Sequence, residues 1–387
     1  MLDNSPIAHL YAHVPFCAKK CSYCAFYSEA GDGELINRYV EALIREMEMV
    51  AGDLRPRTVF FGGGTPSLLN LRQWERIFSA MSRLNLLGAD EWTVECNPAT
   101  VSLDKAKLLR DAGVNRISMG AQSFDETLLD RLGRVHSRDM IFKSFDILRR
   151  AGFDNVNVDL MFAIPGQTME MWQRTLAEAF ALGSEHLACY EVIYEEDTPL
   201  FEQLQAGEVH VDEDLACAMY EELLSATAAN GMEQYEIANF ARGGKSHGGK
   251  IPRFACRHNV NYWRGGSFYG LGPSATGYVR GVRAKNCANT KRYCELLENG
   301  QRAIDWSEEL PPLARAGEIA AFGLRMAAGW PLEQFARRTG FDLRTEWKTE
   351  INRMIELGYG TLSPDRFQLT EKGLRFADWA GSEFLRS

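Results

Sequence analysis

HLYAHVPFCAKKCSYCAFYS, residues 9–28, decides the fold. Its first half is a short β-rich run, and its second half sets Cys17, Cys21 and Cys24 at C-x3-C-x2-C directly where that run ends. Chemistry placed just beyond a strand is the habit of parallel α/β barrels, whose working residues gather at the carboxyl ends of the strands. Runs of the same kind recur as TVFFGGG (58–64), EWTVECN (91–97), RISMGAQ (116–122), NVNVDLMFAI (155–164) and HLACYEVI (186–193). Between them, ELINRYVEALIREMEMV (34–50), LRQWERIFSAMSRL (71–84), SLDKAKLLRDAG (102–113) and MEMWQRTLAEAFALG (169–183) carry apolar residues at three- and four-residue steps, which is helical periodicity. Six strand–helix units predict right-handed crossovers and a parallel sheet, an α/β fold curling into an open, partial (βα)6 TIM-like barrel.

The pattern changes after Gly207. A long helix is predicted from about Asp212 to Asn230, followed by EQYEIANFA (233–241) as a further strand. The stretch ARGGKSHGGKIPRFACRHNVNYWRGGSFYGLGPSATGY (241–278) is rich in Gly and aromatics and poor in periodicity, and reads as an ordered functional loop. From about Asp305 the chain becomes mainly helical, and LGYGTLSPDRFQLTEKG (357–373) holds two short strands around Ser363, Pro364 and Asp365, as in a winged-helix-type appendage. The expected division is 1–241 for the barrel and its extension, 242–304 for an irregular connecting region and 305–387 for a small, mainly helical winged-helix-like domain.

The 387 residues are 45% hydrophobic and 25% charged, enough for one large domain and a smaller one. A net charge of −9 argues against broad attraction to nucleic acid, and the wing tip LSPDRF carries a single Arg. No uncharged apolar run reaches the length of a membrane span, and the opening MLDNSPIAHLY lacks the marks of a signal peptide. A cytoplasmic protein, not integral to a membrane, is expected. The nine cysteines then read as reduced thiols and metal ligands rather than a disulfide framework. Cys96, Cys189, Cys217, Cys256, Cys287 and Cys294 lie far from the clustered three and read as structural.

Three cysteines within eight residues suit a particular inorganic partner. Zinc asks for four ligands, commonly two C-x2-C pairs, and the chain has no second pair. A cubane [4Fe–4S] cluster normally takes four thiolates, so three leave one iron open. An amino acid chelating through its amine and carboxylate fits that position, and S-adenosylmethionine is such a molecule; electron transfer to its sulfonium would yield an adenosyl radical. Three incidental buried cysteines are the competing account. Gly62, Gly63 and Gly64 follow the second strand, where glycine permits close backbone approach and positive φ; a structural turn and a contact for the methionyl amino group both fit. Glu95 and Gln122 end the third and fourth strands, and Arg134 follows; they suit ribose, adenosyl and carboxylate groups, with salt bridging or capping as alternatives. Asp159, inside an apolar strand, needs a partner or a ligand. His258 lies in RHNVNYW beside Asn259, Asn261, Tyr262 and Trp263; hydrogen bonding and axial ligation of a flat macrocycle between aromatic rings are both open to it.

The ordered set YAHVPFCAKKCSYCAFYS, FFGGGTPSLL, ECNP, GVNRISMGAQSF, LGRVHS, NVDLMFAIPGQT, YEIANF, RHNVNYW and LGP resembles the coproporphyrinogen-oxidase-like radical SAM enzymes, and within them the HemW-type haem chaperones. The resemblance spans nearly the whole chain and implies the radical SAM form of the partial barrel. It implies cluster ligation by Cys17, Cys21 and Cys24, and cofactor contacts from Tyr11, Gly63, Gly64, Thr65, Glu95, Gln122, Arg134 and Asp159. It also associates His258, Asn259, Tyr262 and Trp263 with haem, His258 being the axial-ligand candidate. The oxygen-independent coproporphyrinogen III oxidases carry a further cysteine two residues beyond the third, where this chain has Phe26, and a long arm before the cluster, where it has sixteen residues. Both differences point to the chaperone group, with haem, an unidentified haem-acceptor protein and an electron donor for the cluster as partners. Related proteins show a glycine-alanine-histidine stretch where this chain reads Pro273 to Gly277, and GGKSHGGKIPRF (243–254) looks like an added, mobile loop.

Overall fold

The computed structural model describes residues 5–244 and 251–386; half of the expected insertion, 245–250, lies outside the described residues. Six strand–helix units are present. Strand β1 (Ile7–Val14) leads through the cysteine segment to α1 (Gly33–Val50). There follow β2 (Leu54–Gly63) and α2 (Leu71–Arg83), β3 (Glu91–Cys96) and α3 (Leu103–Asp111), then β4 (Arg116–Gln122) with α4 (Glu126–Arg131) and α5 (Arg138–Arg150). Next come β5 (Val156–Phe162) and α6 (Met169–Leu182), and β6 (His186–Glu191) with α7 (Pro199–Gln205) and α8 (Glu213–Ala229). Side-chain caps mark the helix starts: Asp32 accepts from Leu35 N, Asn70 and Gln73 form a capping box, and Thr168 accepts from Met171 N.

The first six strands are mutually parallel in the order β6-β5-β4-β3-β2-β1, and the sheet does not close on itself. Two additions cover its ends. Strands β7 (Glu233–Glu236) and β8 (Asn239–Ala241) run antiparallel beside β6. On the far side β9 (Tyr269–Leu271) pairs parallel with β1 through Leu10, Tyr11 and Ala12. The core on the helix side is dense with aromatic rings; Phe61, Trp74, Phe78 and Trp92 lie with neighbouring centroids 5.2–6.2 Å apart.

The connecting region expected to be irregular, 242–304, is built differently up to and into the strand that begins at its end. It contains α9 (Arg257–Trp263), then β9, then the antiparallel strands β10 (Thr276–Val279) and β11 (Val282–Asn286), α10 (Thr290–Glu298) and β12 (Ile304–Glu309). Helix α9 is too short and too poor in strong helix formers to announce itself by periodicity. It exists because the buried Glu91 carboxylate accepts from Arg257 N at 2.9 Å and His258 N at 3.0 Å. The sixth strand also stops at Glu191, two residues before the expected Ile193, which is exposed.

Beyond β12, helix α11 (Pro312–Leu324) opens a smaller unit with helices at Leu332–Thr339 and Lys348–Glu356 and short strands at Trp330–Pro331, Gly360–Leu362 and Arg366–Leu369. It has its own core of Trp330, Phe335, Trp347, Ile351, Met354, Phe367 and Phe384. Arg264, at the end of α9, joins it to the barrel: its guanidinium donates to Gly329 O at 2.6 Å and lies over the Trp330 ring.

One buried carboxylate fastens the segment after β9 to the barrel. Glu46 of α1 receives Gly272 N at 2.8 Å, Asn286 Nδ2 at 2.7 Å and the Tyr293 hydroxyl at 2.7 Å. Removing it strands three buried donors. Glu46→Ala is therefore expected to cost about 3 kcal/mol or more in urea unfolding of the apoprotein, and Glu46→Gln, which keeps an acceptor, distinctly less. Equal losses in the two variants would rule out hydrogen bonding as the source.

Candidate functional site

The loop carrying the cysteines is held on both flanks by backbone. Cys17 N donates to Glu29 O at 3.1 Å, Glu29 N to Pro15 O at 2.8 Å, and Ser22 N to Leu132 O at 3.1 Å. On the β2 side Gly64 N donates to Val14 O at 2.8 Å and Thr65 N to Phe16 O at 2.7 Å. A side chain at Gly64 would sit 2.7 Å from Phe16 O, and at Gly63, where φ is +101°, 2.4 Å from the His13 ring. Both glycines are thus demanded by the protein's own packing, which draws the end of β2 against the cysteine loop. Thr65 Oγ1 lies 3.5 Å from Cys17 Sγ.

All three thiols are unpaired and half-buried. Burial raises the pKa of Cys24. Among the described residues no three His, Cys, Asp or Glu side chains converge closely enough to share one metal ion. Three thiols from one loop would leave one iron of a cube open, whereas zinc would ask for a fourth ligand. The Arg134 guanidinium, 3.3 Å from Cys21 Sγ, supplies positive charge beside the thiols.

Gln122, Arg134 and Asp159 meet around Gly120. A β-carbon there would lie 3.0 Å from Gln122 Nε2, 3.3 Å from Arg134 Nη2 and 3.9 Å from Asp159 Oδ2. Gln122 reaches this point with φ at +68°, in the left-handed region that costs a non-glycine residue energy and marks functional strand ends. Arg134 donates to Gly120 O at 2.7 Å and to the Tyr23 hydroxyl at 3.5 Å, while its buried Nε has no partner among the described residues. Asp159 Oδ1 is tied to Asn157 Nδ2 at 2.6 Å, and Asn157 Oδ1 lies 2.5 Å from His186 Nδ1. Glu95 accepts from Gly63 N at 3.2 Å. Burial and the nearby Asp159 push Glu95 up to about 8, and burial pushes Asp159 up to about 6.

Beside this polar mouth lies a cavity of about 720 Å³, within the range of roughly 300–1,000 Å³ usual for small-molecule sites. Its walls include Phe26, Tyr27, Phe60, Phe268, Tyr278 and Phe322, with Arg283 and Lys285 of β11 contributing cations. All four expected haem residues line it, and the reason is helical: His258, Asn259, Tyr262 and Trp263 stand at i, i+1, i+4 and i+5, one face of α9. His258 is 8% exposed, with Nδ1 2.9 Å from Thr58 Oγ1 and no hydrogen-bond partner at Nε2 among the described residues.

Tyr11 and His13 line the same cavity. Tyr11 OH lies 3.0 Å from His13 Nδ1, and His13 Nε2 lies 2.9 Å from Tyr27 O, so both nitrogens of His13 are engaged. Sequence reasoning singled out neither His9 nor His13, nor Tyr23, Thr58 or Glu91. A signal existed in HLYAHV: His9, Tyr11 and His13 recur at a spacing of two, which puts them on one face of a strand.

Three kinds of comparison bear on this arrangement. Residues 11–179 match the Radical SAM superfamily and residues 310–376 the HemN C-terminal domain. The chain is 33% identical to the heme chaperone HemW of Lactococcus lactis, covering 97% of this chain and 96% of that protein. It is 33% identical to the heme chaperone HemW of Bacillus subtilis, covering 97% and 98%. In structure it resembles the coproporphyrinogen III oxidase HemN from Escherichia coli, a radical SAM enzyme, with a TM-score of 0.84 at 20% identity over 99% of this chain and 91% of that one. Among the described residues no helix is long and apolar enough to cross a membrane.

The raised pKa of Glu95 has a stability consequence. Between pH 4.5 and about 8 the unfolded chain releases a proton that the folded apoprotein retains, so rising pH costs stability across that window. Glu95→Gln removes the effect: relative to the unaltered apoprotein its melting temperature should rise more at pH 8 than at pH 6. A difference that stays constant between the two would contradict the assignment.

Proposed function

Because this chain belongs to the HemW family of radical SAM proteins and its function is of the HemW, haem-chaperone type, we propose that it carries haem in the aromatic cavity on His258 and yields it to an acceptor protein. The observation that carries this reading is His258 itself, which lines a cavity of macrocycle size walled by aromatic rings and whose Nε2 has no hydrogen-bond partner among the described residues. His13, with both nitrogens in hydrogen bonds, is not available for the role. Lys285 and Arg283 in the cavity wall supply cations of the kind that would pair with the carboxylates of haem. Arg283 is already paired with Glu308 and Glu318, which leaves Lys285 as the freer of the two cations.

Membership of the radical SAM superfamily brings a [4Fe–4S] cluster and S-adenosylmethionine, and the bound cluster supplies single electrons to the sulfonium. In our reading Cys17, Cys21 and Cys24 hold the cluster. Gln122 and Asp159 around Gly120, with Glu95 above Gly63, receive the nucleoside, and Tyr11, Gly63, Gly64 and Thr65 form the wall against which it rests. Arg134 stays bound to Cys21 and Gly120 and lends its charge to the loop. An electron donor that reduces the cluster and a haem-accepting protein complete the cycle, both being separate molecules.

Titration of the reconstituted protein with hemin tests the site. The unaltered chain should bind one equivalent, and His258→Ala should lose that binding while its iron–sulfur spectrum is unchanged; full binding by the variant would remove His258 as the ligand. Separately, Cys21→Ala should abolish the cluster absorbance and the iron and sulfide content. Retention of both would overturn the ligand assignment.

A further inference from the structure

We propose that Thr58 and His9 form a hydrogen-bond relay that sets which ring nitrogen of His258 carries the proton, and so whether its Nε2 is free to take iron. The inference rests on the haem reading above and adds positioning residues to it. Its basis is a single hydroxyl shared by two imidazoles: Thr58 Oγ1 lies 2.8 Å from His9 Nδ1 and 2.9 Å from His258 Nδ1. Thr58 is 2% exposed and His258 8% exposed, so the shared hydroxyl is buried and these two rings are its partners.

A hydroxyl owns one proton. It can donate to one Nδ1, and the second short contact is then a bond only if the other Nδ1 carries a hydrogen and donates to the oxygen. A neutral imidazole carries a single ring proton, and burial of the shared hydroxyl with His258 favours the neutral rings. Each therefore has one ring proton, and the two rings must hold it on opposite nitrogens. In one arrangement His9 donates from Nδ1, Thr58 donates to His258, and the His258 proton sits on Nε2, blocking iron. In the other, His258 donates from Nδ1 to Thr58, Thr58 donates to His9, and His9 is protonated on Nε2; the His258 Nε2 lone pair then points free.

Haem binding selects the second arrangement. The exchange balances without net proton uptake: His258 Nε2 gives up a proton, His9 Nε2 gains one, and the chain through Thr58 reverses direction. The Nδ1–H···O bond to Thr58 also makes His258 a stronger electron donor to the metal, the usual service of a partner to the second nitrogen of a ligating histidine. His9 reads out on the opposite face of the relay, and no hydrogen-bond partner holds its Nε2 among the described residues.

The test combines an unaltered and a substituted chain. Histidine nitrogen NMR on the haem-free protein should show His9 and His258 protonated on opposite ring nitrogens; the same nitrogen protonated in both would overturn the relay without any variant having to fold. In hemin titrations Thr58→Val and His9→Phe should weaken binding about 10- to 100-fold, and the ferrous iron–histidine stretch in resonance Raman should move to lower frequency. Thr58→Ser should restore both. Unaltered affinity and stretch in Thr58→Val, with binding lost in His258→Ala, would sink the relay alone; unaltered binding and stretch in His258→Ala would sink the haem reading beneath it.

Discussion

The Glu91 carboxylate, buried at the start of β3, is what the architecture around the cavity depends on. By accepting the amides of Arg257 and His258 it turns seven residues of poor helical propensity into a helix pressed against the barrel. Everything on α9 is oriented from that end. His258 comes to rest on Thr58, Tyr262 and Trp263 turn toward Phe322 of α11, and Arg264 reaches Gly329 in the smaller unit. A carboxylate at a strand start thus orders a wall of the cavity and the junction of two cores at once.

Two environments meet along β1. On one side Glu95, Asp159, Gln122 and Arg134 form a polar mouth beside the cysteines, with Asp159 held by the chain of Asn157 and His186. On the other is the aromatic cavity. Tyr11 and His13 belong to both, since His13 packs on Gly63 while lining the cavity and binds Tyr27 of the cysteine segment. Their mutual hydrogen bond explains how aromatic and imidazole groups can be buried there without stranding polar atoms.

Much of the barrel was legible because its signals are local. Alternating apolar runs and three- and four-residue periodicities report strands and helices through residues close in sequence, and the cysteines carry their spacing within one loop. The strand-end placement of Glu95 and Gln122 followed from the same reading. What escaped was set by distant partners. Helix α9 is made by Glu91, more than a hundred and fifty positions upstream; β9 becomes a strand only by pairing with β1; and the importance of Thr58 emerges only when two histidines from different elements close on it. The glycines after β2 carried a mixed message, since their lack of side chains is consumed by His13 and by the carbonyls of the cysteine loop.

The covering of the open sheet has a consequence for how this chain must be made. Strand β1 is eight residues long and is the first strand of the sheet in sequence, yet the middle of its outer edge is paired by β9, which lies beyond the whole barrel in sequence. Until that late segment is synthesised and docked, an emerging chain displays a row of unsatisfied amides and carbonyls to its neighbours. Newly translated molecules at high local density are consequently most prone to stick to one another in that interval, and mature ones, whose remaining margins are the three- and four-residue β9 and β7, are not.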